Sequence, residues 1–138
     1  MTDMQLAVIV LAAGQGTRMK SARPKVLHHL AGRSLIGHVL ATARSLEPVH
    51  LVVVVRHERD SVVATTTELM PDAVIVDQDE IPGTGRAVEL GLAALPGDFA
   101  GDVVVVSGDV PLLDAATLAT LIAEHRAASA AATLLSAI

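Results

Sequence analysis

Arg18, Lys20, Arg23 and Lys25 place four cations within eight positions. They follow or extend the run Leu11-Ala-Ala-Gly14-Gln-Gly16-Thr17, whose small residues let backbone N–H groups come close to a ligand. Peptide N–H groups in such a turn form an anion-binding concavity. Arg and Lys beside it add charge where phosphate oxygens would lie. A glycine turn alone reads as an ordinary joint between strand and helix, because short glycine motifs are weakly specific. The four cations shift the reading toward phosphate. Two familiar phosphate loops are excluded. A dinucleotide fingerprint needs glycine where Met19 stands and an acid near Ser34. A Walker A loop needs Gly-Lys-Ser/Thr after four spacers, which is absent.

Two other segments carry candidate chemistry. Gln78-Asp-Glu-Ile-Pro82-Gly83-Thr84-Gly85-Arg86 joins an apolar run to a helical pattern. A side-chain amide offers donors and an acceptor, which suits the edge of a base. Gly83 allows close backbone approach, and Thr84 is placed to cap the helix. Ser107-Gly108-Asp109-Val-Pro111 sets a carboxylate just past a valine run, where it could hold Mg²⁺, a hard cation that prefers oxygen ligands. Alone, each segment also reads as a capped turn. His28, His29 and His38 fit no standard metal-ligand spacing and read as structural.

The whole chain narrows the choice. Its 138 residues suit one domain, and 51% are hydrophobic, too many for a disordered segment. The apolar runs are strand-length, far short of a spanning helix. Phe99 is the one aromatic residue, so stacking platforms for single-stranded nucleic acid are missing. The absence of cysteine excludes disulfides, zinc ribbons and thiol nucleophiles. No basic segment followed by an apolar stretch opens the chain, which reads as soluble and cytoplasmic, with no membrane or nucleic-acid partner. Net charge is −5, yet residues 1–60 sum to +4 and residues 61–138 to −9. A tight basic cluster in an acidic chain points to a local anionic ligand rather than a broad nucleic-acid surface.

Elements that could position these loops follow from hydrophobic periodicity. Unbroken apolar runs at 6–11, 51–55, 73–76 and 103–106 predict strands buried on both faces, with a weaker fifth at 131–138. Helical spacing predicts helices over 34–46, 58–69, 84–95 and 114–127, with Ser34 and Asp114 as N-caps. Strands alternating with helices predict an α/β fold, a Rossmann-like open, mostly parallel sheet with flanking helices. Ligands of such sheets bind beyond the carboxyl ends of the strands. The loops at 12–25, 77–84 and 107–113 therefore belong together.

Leu11-Ala-Ala-Gly-Gln-Gly-Thr-Arg-Met19 followed by Pro24-Lys25 resembles the signature of sugar-1-phosphate nucleotidyltransferases. Lys25-Val-Leu-His28-His-Leu-Ala-Gly32 and Leu35-Ile-Gly-His38-Val39 narrow the resemblance to one family. From about Val8 onward the chain resembles the N-terminal domain of bifunctional N-acetylglucosamine-1-phosphate uridyltransferase / glucosamine-1-phosphate acetyltransferases. The resemblance implies that the backbone of Leu11, Ala12, Ala13, Gly14 and Gly16 holds a nucleotide. It implies that Arg18 and Lys25 contact the phosphates and act in catalysis. Gln78, Gly83 and Thr84 would read the base, and Ser107, Gly108 and Asp109 would complete the site with Asp109 on Mg²⁺. The implied partners are UTP and N-acetylglucosamine 1-phosphate, giving UDP-N-acetylglucosamine, a cell-wall precursor, and pyrophosphate.

Three positions depart from the family pattern: Pro82 for leucine, Arg86 for histidine, and Ser107 where an aromatic is common. In the family the sugar pocket, a second metal ligand and the β-helical acetyltransferase domain that makes the trimer lie further along. Residues 1–138 thus read as the nucleotide-binding part of a truncated domain, without trimer contacts. A cytidylyl- or molybdopterin guanylyltransferase would share the first loop, but Lys25–His28 and Gly83-Thr84 argue against it. A non-catalytic nucleotide-binding module or an incidental parallel-sheet domain would also fit the order of the elements.

Overall fold

The computed structural model describes residues 4–15 and 20–136. The chain runs through β1 (Gln5–Ala12), a 3-10 turn at Lys25–Leu27, and a short hairpin of β2 (His29–Leu30) and β3 (Arg33–Ser34). It continues through α1 (Leu35–Ser45), β4 (His50–Val55), α2 (Arg59–Leu69), β5 (Val74–Asp77), α3 (Thr84–Ala93), β6 (Gly101–Ser107) and α4 (Ala115–Ala127). The four long strands form one parallel sheet in the order β5-β4-β1-β6.

β1 lies between β4 and β6, and Ala7 to Val10 have no exposed surface. That double burial is why its sequence shows no polar alternation. Side-chain alternation still divides the core. Val8, Val10, Val53, Val55, Val104 and Val106 face α1, α2 and α4 through residues such as Ile36, Leu40, Val62 and Leu118. Ile9, Val52 and Val54 face the other way, toward Ala87 of α3. One helix covers that second face, so Val74 and Val105 on the outer strands are left 44% and 41% exposed. No helix among the described residues is long and apolar enough to cross a membrane.

The two expected caps at Ser34 and Asp114 form. Ser34 Oγ accepts from the N–H of Gly37 at 3.1 Å, and Asp114 Oδ1 accepts from the N–H of Thr117 at 2.7 Å. Two expectations need correction. The expected burial of all four strands on both faces holds for β1 and most of β4 but not for β5 and β6, which lie at the edges of the sheet. The tail does not form a fifth strand, because residues 131–136 are exposed and irregular. Instead the N–H of Ala130 bonds back to the His125 carbonyl, and His125 Nδ1 meets Thr133 Oγ1 at 2.9 Å, turning the tail back toward α4. The hairpin of β2 and β3 carries no periodic signal because each strand has only two residues.

α3 matters because it follows the Gln78 loop directly. At Gly91 it approaches the sheet so closely that a Cβ would stand 2.9 Å from Cγ2 of Ile9 and 3.2 Å from its Cδ1. Ile9 is fully buried and has nowhere to move. Gly91→Ala should therefore destabilise the fold by about 1–3 kcal/mol, less up to ~1 kcal/mol returned by alanine's helix propensity. Urea denaturation checks this, and an unchanged midpoint would show that α3 lifts off the sheet at no cost.

Candidate functional site

The strand order reverses at β1, with β4 on one side and β6 on the other. At such a switch point the outgoing loops part and leave a crevice beyond the strand ends. Leu11 pairs with Ser107 and Ala12 with Val55. The N–H of Gly108 then donates to the Leu11 carbonyl at 2.8 Å, extending the ladder beyond β6. The Leu11–Gly14 backbone and residues 107–109 therefore flank one crevice. Ala12 and Ala13 are buried beneath it and Gly14 is exposed at its mouth. Gly16 and Arg18 lie outside the described residues.

Lys25 opens the 3-10 turn, and the next residue, Val26, is buried in the core shared with Ala12 and Val106. That anchor carries the Lys25 side chain to the crevice, where Nζ stands 2.7 Å from Oδ2 of Asp109. The loop itself holds no carboxylate to meet Lys25, so the sequence suggests no salt bridge for it. The structure brings the partner from the far loop. Ser107 Oγ donates to the other carboxylate oxygen at 2.6 Å. Burial pushes the Asp109 pKa up, but the hydrogen bonds from Lys25 and Ser107 and the charge of Lys25 outweigh it. The carboxyl is held below its usual range.

At the end of β5, the N–H of Gln78 donates to the Val55 carbonyl at 2.8 Å, so the Gln78 loop leaves from the same end of the strands. Gln78 does not keep its whole amide for a ligand. Nε2 donates to the carbonyls of Ile81 and Gly83, both at 3.1 Å. Two acceptors on one nitrogen fix the amide's orientation and leave Oε1 as the group on offer. Gly83 has φ +113 and ψ 152, a conformation that strongly favours glycine. It is Gly83, not Thr84, that occupies the N-cap position, without a side-chain bond; Thr84 is already the first helical residue.

Arg86 and Asp79 form an ion pair that sequence reading passes over, since one residue belongs to the loop and the other to the helix. His28 and His38 are structural. Their Nε2 atoms meet the carbonyls of Arg23 at 3.2 Å and Leu30 at 2.7 Å. No cluster of three or more metal-ligating side chains occurs among the described residues. An open concavity of about 660 Å³ beside the first loop is lined by Arg23, Pro24, His28, Glu58 and Ser61 among others. None of the residues expected to bind nucleotide lines it.

The family model of the MobA-like NTP transferase domain matches residues 8–137. The "Bifunctional protein GlmU" of Leifsonia xyli subsp. xyli is 66% identical over 137 residues, covering 99% of this chain and 28% of the relative. The chain thus spans under a third of that relative's length. Among solved structures, Rv0371c from Mycobacterium tuberculosis H37Rv superposes with a TM-score of 0.76 at 25% identity, covering 91% of this chain and 62% of the other. Its complex with manganese gives 0.72 at 24% identity, covering 89% and 60%.

The Lys25–Asp109 pair has a pH signature. A lowered folded pKa stabilises the fold above the ordinary carboxyl value of 3.8, and that stability is lost as pH falls through the folded value. Asp79, held by Arg86, and Asp114, held by the N–H of Thr117, shift in the same direction. Stability to urea should therefore fall below about pH 4. Lys25→Met should flatten that slope, by less than about 1 kcal/mol for a partly exposed pair. A slope that the substitution leaves unchanged would mean the pair is not populated in solution.

Proposed function

The chain belongs to the family of MobA-like NTP transferase domains, and on that premise we propose that it is the nucleotide-binding part of a Mg²⁺-dependent uridylyltransferase. Its substrates would be UTP and N-acetylglucosamine 1-phosphate, and its products UDP-N-acetylglucosamine and pyrophosphate. The nucleotide substrate puts the reaction in the cytoplasm. The observation that carries this reading is the meeting of Lys25 and Asp109 at 2.7 Å beside the Leu11–Gly14 turn.

Strand spacing gives the crevice its length. Four parallel strands about 4.8 Å apart set the Gln78 loop and the Asp109 loop about 14 Å from each other. A nucleotide laid across the strand ends would put its base at Gln78 and its phosphates at β1 and β6. With Oε1 as its free group, Gln78 accepts a hydrogen bond from the ring N–H of uracil. Cytosine offers a lone pair at that position and is disfavoured.

In the reaction, an oxygen of the sugar phosphate attacks the α-phosphorus in line and pyrophosphate leaves. The protein's work is to hold the groups in line and to neutralise charge. The backbone of residues 11–14 holds the nucleotide, and Arg18 and Lys25 neutralise its phosphate oxygens. Asp109 fits a hard divalent cation, since its oxygens already take one positive charge and one hydroxyl donor. Asp109 would hold Mg²⁺, which would supply positive charge to offset that of the phosphates.

Lys25 then has two places to go. In the nucleotide-free protein its ammonium neutralises Asp109; with UTP it moves to a phosphate and frees the carboxylate. Lys25→Met should weaken UTP about tenfold or more, since a charge-assisted contact contributes about 1.5–3 kcal/mol, and should spare uridine. It should also strengthen metal binding by the nucleotide-free protein. Calorimetric titration of wild type, Lys25→Met and Lys20→Met with UTP, uridine and Mn²⁺ tests both effects. Equal losses at Lys20 and Lys25 would mean a general positive field rather than a formed phosphate site.

A further inference from the structure

Arg86 lies in the first turn of α3, and its guanidinium is shared between two carboxylates. Nε donates to Asp79 Oδ2 at 3.0 Å, Nη2 donates to the same carboxylate, and Nη1 donates to Glu89 Oε2 at 2.8 Å. Asp79 Oδ1 accepts the N–H of Ile81 at 3.1 Å, and the Ile81 carbonyl in turn accepts from Gln78. These bonds form one chain. Arg86 fixes Asp79, Asp79 fixes Ile81, and Ile81 with Gly83 fixes the Gln78 amide. Gly83 caps the helix without a side chain, so the Arg86 grip on Asp79 ties the loop to α3.

We propose that Arg86 is a specificity-determining positioning residue, which holds the loop at 78–83 so that the Gln78 carbonyl meets the ring N–H of a uracil base. The proposal rests on the reading of Gln78 as the group that reads the base. Arginine is suited to the task because its planar fork sends N–H groups to Asp79 and Glu89 in fixed directions and stays charged at every physiological pH. The loop is then shaped before the ligand arrives, and less ordering cost falls on binding. Without the fork, the Gln78 amide is free to rotate and present its N–H groups instead, which would suit cytosine as well as uracil.

The test uses Arg86→Met, which keeps the stem and loses the fork, Arg86→Lys, which keeps the charge alone, and Asp79→Asn, which opens the same grip from the loop side. Each is titrated with UTP, CTP and inorganic tripolyphosphate, with thermal melting as the check on folding. All three variants should lower the UTP-to-CTP affinity ratio by about tenfold, the scale of one hydrogen-bonded contact. Tripolyphosphate affinity should stay at the wild-type value. Adding Gln78→Ala to Arg86→Met should change the ratio no further, because both act on one contact. A wild-type ratio retained in folded Arg86→Met and Asp79→Asn would overturn the proposal and leave the Gln78 reading intact. A wild type that binds UTP and CTP equally would overturn both.

Discussion

β1 is hydrogen-bonded along both edges, and those two ladders set the height of every loop in the crevice. Pairing Leu11 with Ser107 and Ala12 with Val55 leaves three strands ending level, and Gln78 continues the fourth. A slip of one residue in either ladder would turn the valines of β4 or β6 to the wrong face. Register is therefore enforced by the core, where Val52 to Val55 have no exposed surface. The site inherits its geometry from side chains that never touch a ligand.

The relative size of the forces explains how charged groups can change partners here. Full burial of one aliphatic side chain contributes about 1.5–3 kcal/mol. A partly exposed ion pair such as Lys25–Asp109 contributes less than about 1 kcal/mol. The fold does not depend on that pair, so Lys25 can leave Asp109 without loosening the sheet. The Gln78 loop is arranged differently: its ion pair and its amide bonds act within one short segment and shape it directly.

β1 and β4 were legible because burial on both faces leaves an uninterrupted apolar run, whereas β5 and β6 carry such runs at the sheet edges with Val74 and Val105 exposed. The two side-chain caps were legible because Ser34 and Asp114 precede clear helical spacing. Pairing extended β6 back to Gly101, beyond the valines that announced it. The tail looked like a strand from composition alone, but Leu134 is 90% exposed and the segment joins no ladder among the described residues. At the site, the residue types were legible and their partners were not. Asp109 meets Lys25 only because β6 returns to lie beside β1, and no local pattern encodes that. The spent N–H groups of Gln78 were likewise hidden, since their acceptors are backbone carbonyls common to every residue.

The adjacency of β1 and β6 also bears on how the molecule comes into being. These strands lie far apart in sequence, with α1, β4, α2, β5 and α3 between them, so their pairing closes the longest loop in the sheet. Such closure carries a larger entropic cost than joining β4 to β5, and non-local parallel pairing is slow. On the ribosome, β1 and β4 emerge while the partner for β1's other edge is still unmade. A crevice walled by Leu11 on one side and Asp109 on the other has no existence in such a species. Occupation of this crevice thus reads out a sheet in which β6 has joined β1, and a ligand held there would stabilise the contact that folding reaches with greatest difficulty.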